Sequence, residues 1–194
     1  MGVKNKKIVA IIGFSRSGKD ICGDVFIGNG YKRVAFADKV KEDFINLPRN
    51  RFKLGFNNGK FHMGLTLQEL EENKHLYRKE IIEFAERKRV DEPYYWVDKV
   101  KDKIEGYENI VITDLRRLPE IEYLESLKSK GYEVNYINVI RPLNNGGMFD
   151  MDGETSKTIL WCEYNNLFSV RILNASSVEE LIKTTNLVIQ DLKL

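Results

Sequence analysis

The sequence predicts an α/β fold, a five-stranded parallel sheet flanked by helices. Three observations predict it. Residues 7–13 (KIVAIIG) form a short, nearly continuous apolar run, the pattern of a strand buried on both faces. Strand-like runs then alternate with amphipathic helical stretches, which is how parallel βαβ units read. Finally, the 194 residues contain no internal repeat, low-complexity tract or inter-domain linker, so a single domain over 1–194, carrying insertions, accounts for them.

The elements follow in order. After the first strand and the turn FSRSG, residues 20–27 are apolar at Ile21, Val25 and Phe26 and predict a helix that ends near Gly28 and Gly30. Residues 31–37 (YKRVAFA) predict the second strand, and 38–47 an amphipathic helix with Val40, Phe44 and Ile45 on one side. Residues 48–65 are rich in Gly, Asn and basic side chains, without a period, and read as a loop or small insertion. A long charged helical stretch over 66–89, broken near Asn73, is followed by a helix over 94–104. The third strand is 109–114 (NIVITD), and a helix then opens at Pro119 and ends at Gly131. The fourth strand is 133–141, and 142–157 is a second irregular segment. The fifth strand is 169–173, and a closing helix over 177–192 has Ser177 as its cap with Glu180 three residues on. Both irregular segments read as insertions at one end of the domain: about 48–105 as a substrate-binding helical region, about 142–157 as a lid.

Composition excludes several classes. Hydrophobic residues make up 42% and charged residues 31%, enough for a core and against disorder. The formal net charge of +2 argues against a protein that coats nucleic acid. Cys22 and Cys162, far apart, and the two histidines, His62 and His75, offer no metal-ligand spacing. No stretch reaches the ~20 apolar residues of a membrane span, and no secretory or myristoylation signal is visible. A cytoplasmic location is expected. The sequon at Asn174-Ala175-Ser176 carries no meaning in such a chain.

Residues 13–20, GFSRSGKD, carry the chemistry. They match the phosphate-cradling pattern G-x-x-x-x-G-K-[ST] at Gly13, Gly18 and Lys19, and depart from it at Asp20. The context is right, since the loop lies between a buried strand and a helix. There the glycines let backbone N–H groups face phosphates, and the helix N-terminus adds partial positive charge. Lys19 would reach the β- and γ-phosphates. Asp20 would hold Mg²⁺ through water or cap the helix. VITDLRR, residues 111–117, ends a strand in Asp114, where a carboxylate can orient Mg²⁺, followed by Arg116 and Arg117 in reach of an anion. Asp38 and Lys39 in AFADKVKE could contact a second ligand. The block 77–97 places Arg78, Arg87 and Arg89 before Tyr94, Tyr95 and Trp96, guanidinium groups suited to phosphate and aromatics suited either to a base or to the core. Arg141 and Lys157 are the candidate cations of the lid, which also holds Asp150, Asp152 and Glu154.

RSGKD, AFADKVKE, YR…R.R…EPYYWV, VITDLR and VIRP, taken in order from about residue 7 to about 190, resemble the phage-type deoxynucleoside monophosphate kinases, P-loop kinases of the nucleoside monophosphate kinase class. The resemblance implies transfer of the ATP γ-phosphate to a deoxynucleoside monophosphate, with Mg²⁺, in the cytoplasm of the host if the chain is phage-encoded. It makes Asp20 a habit of the family. It implies that Gly13, Ser15, Arg16, Ser17, Gly18, Lys19, Asp20 and Ile21 bind the ATP phosphates. Asp38, Lys39, Arg78, Arg89, Trp96 and Arg116 would surround the monophosphate, with Arg87 added from its place in the arginine cluster, and Asp20 and Asp114 the metal. Lys19, Arg16 and Asp114, with Arg141 as a lid cation read from its position and not from the resemblance, would be the catalytic group, acting by positioning and charge neutralisation. The chain departs from the family at Glu83 and Ala85, where relatives carry Gln and Gly. The expected partner is a small molecule, not nucleic acid or membrane, and a homodimer is left open. Two alternatives are a P-loop kinase with another small-molecule acceptor and an ATP-binding regulator without turnover.

Overall fold

The computed structural model describes residues 6–47, 66–142 and 153–194. The expected insertion at 48–65, with His62, and residues 143–152 of the expected lid, with Asp150 and Asp152, lie outside the described residues.

Five strands form one parallel sheet: Lys7–Ile12 (β1), Lys32–Val34 (β2), Asn109–Ile112 (β3), Glu133–Ile140 (β4) and Phe168–Leu173 (β5), in the order β2-β3-β1-β4-β5. β1 lies at the centre, pairing Ile8 with Ile110 of β3 and Val134 of β4, and Ile12 with Asn138. Every residue from Ile8 to Ile12 is buried, as the unbroken apolar run requires of a strand covered on both faces. The strands' two-residue period then separates two cores. Val9, Ile11, Val111, Ile137, Val139 and Ile172 face Lys19–Gly28 (α1) and Val178–Asp191 (α8), whose Cys22, Phe26, Leu181, Val188 and Ile189 complete one apolar cluster. Each large aliphatic side chain enclosed there stabilises the fold by roughly 1.5–3 kcal/mol. The helix Leu118–Lys128 (α6) contributes the buried Ile121, Leu124 and Leu127.

The chain divides into two compact units, residues 1–35 with 100–194, and residues 36–99. The second contains Phe36–Ile45 (α2), Leu67–Glu72 (α3), Lys74–Asp91 (α4) and the start of Tyr95–Gly106 (α5). α3 opens on a capping box, Thr66 with Glu69, and the break at Asn73 lies where the sequence puts it. Val40, Phe84, Ala85 and Trp96 form this unit's core.

Several boundaries differ from expectation. β2 ends at Val34, because Phe36, 2% exposed, already belongs to the first turn of α2. Asp38 is therefore the third residue of that helix and not its first. β3 stops at Ile112, two residues before Asp114. Residues 154–157, expected to be irregular, open the helix Glu154–Tyr164 (α7), with Gly153 at φ 68° as its N-cap. Among the described residues, no helix is long and apolar enough to cross a membrane.

Candidate functional site

β1 and β3 are neighbours whose connections leave in opposite directions, α1 toward β2 and α6 toward β4. Open α/β sheets take ligands at such a switch point, outside the carboxyl ends of the strands. Two loops meet the requirement, 13–18 after β1 and 113–117 after β3.

The first loop is shaped by backbone. A Cβ on Gly13 would lie 2.5 Å from Ser17 Oγ and 2.6 Å from Val139 O, so any side chain there would fill the turn. Gly18 has φ 100°, and a Cβ on it would lie 2.6 Å from Asn174 Nδ2 and 2.8 Å from Leu181 Cδ2. Between them Arg16 holds φ 64°, a left-handed conformation that costs a non-glycine residue about a kcal/mol or more. Ser17 is 2% exposed, and its Oγ has no hydrogen-bond partner among the described residues. The Lys19 Nζ donates back across the loop to Phe14 O at 3.4 Å. α1 starts at Lys19 with no side-chain cap, and the exposed Asp20 stands in its first turn. A cradle that a methyl would fill, an orphaned buried hydroxyl and an uncapped helix N-terminus fit the phosphates of a nucleotide. Ser15 is exposed, whereas Ile21 packs against the core cluster.

The second loop is tied down by one nearby carboxylate and by groups far away in sequence. The Glu120 carboxylate, 3% exposed, accepts from the backbone N–H of Arg116 at 2.9 Å and of Arg117 at 3.1 Å. Thr158 Oγ1 on α7 donates to Arg116 O at 2.5 Å. Glu154 Oε2 pairs with Arg117 Nη1 at 3.0 Å, and its other oxygen with Lys157 at 2.7 Å. The Lys157 hydrogen bond, then the Arg117 charge, hold the Glu154 carboxyl below the usual carboxylate range. Arg141, exposed, follows β4 directly.

Gly23 relates the two candidate metal ligands. A Cβ on it would come 2.3 Å from Thr113 Cγ2. Gly23 is one turn of α1 beyond Asp20 on the same face, and Thr113 immediately precedes Asp114. α1 thus approaches the end of β3 closely at Gly23 and Thr113, within the first unit. Among the described residues no three His, Cys, Asp or Glu gather as a metal group. Magnesium held by phosphates needs only one or two carboxylates, so Asp20 and Asp114 fit it.

In the second unit the charged candidate residues are exposed or partly exposed, and Trp96 is buried. Lys39 pairs with Glu42 at 3.1 Å and Asp43 at 3.2 Å, and these two, Glu42 first, raise its pKa. Asp38 pairs at 3.4 Å with Lys41, which is 8% exposed and also bonded to Glu71. Arg78 and Arg87 are exposed, and Arg89 pairs with Glu86 at 2.8 Å. Eleven residues make three helical turns, so Arg78 and Arg89 share one face of α4, while Arg87 lies opposite Arg78. Trp96 is 2% exposed, stacks edge-on to Phe84 and Tyr95, and donates its indole N–H to Ala85 O at 3.1 Å. Of the two expectations for this ring, the structure favours the core, because it is buried and its N–H is bonded to Ala85 O.

Sequence reasoning did not find Glu120, Thr158, Lys41, Asn138 or the site role of Asn174. Asn138, opposite Ile12, keeps a buried Oδ1 without a hydrogen-bond partner among the described residues. Asn174, the sequon residue, is 7% exposed and bonded to the first loop. Only Glu120 carried a local signal, being three residues after Arg117 at a helix start.

No protein-family model matches the chain, and no curated protein matches it. Solved structures do. A dephospho-CoA kinase from Campylobacter jejuni matches with TM-score 0.50 at 15% identity over 95% of this chain and 97% of that one. TT1252 from Thermus thermophilus matches with TM-score 0.51 at 14% identity over 97% and 99%. A shikimate kinase from Aquifex aeolicus matches with TM-score 0.43 at 17% identity over 95% and 96%. The fold, a five-stranded parallel sheet flanked by helices, is shared with that dephospho-CoA kinase.

Proposed function

We propose that the protein is an ATP-dependent kinase acting on a small phosphorylated acceptor, a deoxynucleoside monophosphate, which it converts to the diphosphate. The observation that carries the reading is the loop Gly13–Asp20 at the sheet's switch point, with its filled-by-a-methyl turn and orphaned Ser17 hydroxyl. ATP would supply the phosphoryl group, and Mg²⁺ would spread its negative charge. The chain's own residues do the rest. Backbone N–H groups of the loop other than that of Ser17, which donates to Phe14 O at 3.1 Å, would orient the donor phosphates. Lys19 and Arg16 balance their charge, and Asp20 and Asp114 supply the carboxylates for the metal. Arg116, whose backbone N–H and C=O are held by Glu120 and Thr158, would add a cation near the phosphates. The acceptor is already an anion, so little general-base help is needed.

The acceptor class rests on the resemblance and is supported by Arg78 and Arg89 sharing one face of α4. Arg87, on the other face, drops out of that set. The dephospho-CoA kinase among the similar structures favours the second reading, a P-loop kinase with another small-molecule acceptor. ADP release measured with ATP, Mg²⁺ and each of the four deoxynucleoside monophosphates separates them, with Lys19→Ala as control. Turnover of at least one monophosphate, lost in the variant, is expected. ATP binding without turnover of any would overturn the acceptor assignment.

A further inference from the structure

Gly18 creates a difficulty for the loop that contains it. Its φ of 100° requires glycine, yet glycine resists rotation of the adjoining peptides least of all residues. A phosphate cradle works only if its N–H groups already point inward. The structure supplies the restraint from the far end of the chain. Asn174, the first residue after β5, donates its Nδ2–H to Ser17 O at 2.9 Å, and its own backbone N–H is anchored on Ile140 O at 2.7 Å. The contact is buried, and Nδ2 must be the atom involved because a carbonyl can only accept. The peptide between Ser17 and Gly18 is planar and trans, so its C=O and N–H point in opposite directions. Holding Ser17 O toward Asn174 therefore aims Gly18 N–H to the opposite side of the peptide.

We infer that Asn174 is a positioning residue for nucleotide binding: it locks the Ser17–Gly18 peptide so that the Gly18 N–H is preorganised toward the bound phosphate. This rests on the reading of residues 13–20 as a phosphate cradle. Among the described residues, Asn174 is bonded to Ser17 O and Ile140 O and lies beside Gly18, none of them ionisable.

The test is the ADP dissociation constant, measured by calorimetry without metal at pH 5.5 and pH 8, for the wild type, Asn174→Leu and Asn174→Asp. Each value is taken relative to wild type at the same pH, which cancels titration of ADP itself. Asn174→Leu removes the donor at similar volume and is expected to bind about tenfold more weakly at both pH values, the worth of one buried hydrogen bond. Asn174→Asp faces Ser17 O with an acceptor when ionised and with an O–H donor when protonated. It is expected to bind more weakly than Asn174→Leu at pH 8 and more tightly than Asn174→Leu at pH 5.5. Relief of charge repulsion alone would bring it only level with Asn174→Leu, so that result would overturn the inference, as would an unchanged affinity in Asn174→Leu. A wild type that does not bind ADP would overturn the cradle reading and this inference with it.

Discussion

The loop after β1 and the charged helices of residues 36–99 both offer ligands for phosphate, and they are built on different principles. The loop uses main chain. Its shape is set by two glycines that no other residue can replace, and its hydroxyl and carbonyl are buried. The helices use side chains, and most of those already have counter-ions: Lys39 with Glu42 and Asp43, Asp38 with Lys41, Arg89 with Glu86. An anion approaching Arg89 must compete with Glu86, whereas one approaching the loop meets main chain shaped by Gly13 and Gly18. The difference teaches that a donor site can be fixed before its ligand arrives, while an acceptor site made of surface ion pairs must exchange partners to bind.

Breaking the loop should therefore cost most. Lys19→Ala is expected to lower turnover about 10²–10³-fold, the effect of removing one preorganised electrostatic contact, with the melting temperature little changed; steady-state rates and a thermal scan check this. Loss of less than tenfold would put the two regions on an equal footing. On the helices the effect should be smaller and directional. Arg78→Ala and Arg89→Ala are expected to raise the acceptor KM about tenfold each, one charge-assisted contact, and Arg87→Ala to leave it within about twofold. Equal effects from all three arginines would show that the α4 face does not organise the acceptor.

The corner that joins α1 to β3 sharpens the contrast within the first unit. Gly23→Ala is expected to destabilise the fold by about 1–3 kcal/mol, because the new methyl meets Thr113 Cγ2 in a packed interior. Thr113→Ser removes that methyl and should recover most of the loss in the double variant, as denaturant unfolding would reveal. The smallest effect concerns Glu154. Its folded-state pKa is lowered, so its contribution is fully present above the ordinary carboxylate pKa and is lost as pH falls through the lowered value. Glu154→Gln should cost less than about 1 kcal/mol at pH 7, as partly exposed pairs do, and the difference from wild type should vanish in the acid limb of a stability–pH curve.

What could be read from the sequence was local. The run 7–13, the turn at 13–18 and the cap at Ser177 are each set by a few consecutive residues, and all five strands lie where the apolar runs put them. The restraints were not legible, since they join residues far apart: Asn174 with Ser17, Thr158 with Arg116, Lys41 with Glu71. Nothing in a periodic pattern marks a threonine on one helix as the brace of another loop. Trp96 misled for a related reason. An aromatic in a basic, proline-marked segment fits a base platform and a core equally well, and only its neighbours Phe84 and Ala85 decide. The start of α7 was hidden because Gly153 and the acidic residues before it read as loop.

The most direct test of the central claim is ³¹P nuclear magnetic resonance of the products after incubation with ATP, Mg²⁺ and the deoxynucleoside monophosphate that supports ADP release. The expected result is loss of the monophosphate resonance and growth of the coupled pair of a phosphoanhydride, showing transfer from phosphate to phosphate. Growth of a single phosphomonoester or of inorganic phosphate alone would contradict it, since either would mean that the γ-phosphoryl group goes to a hydroxyl or to water.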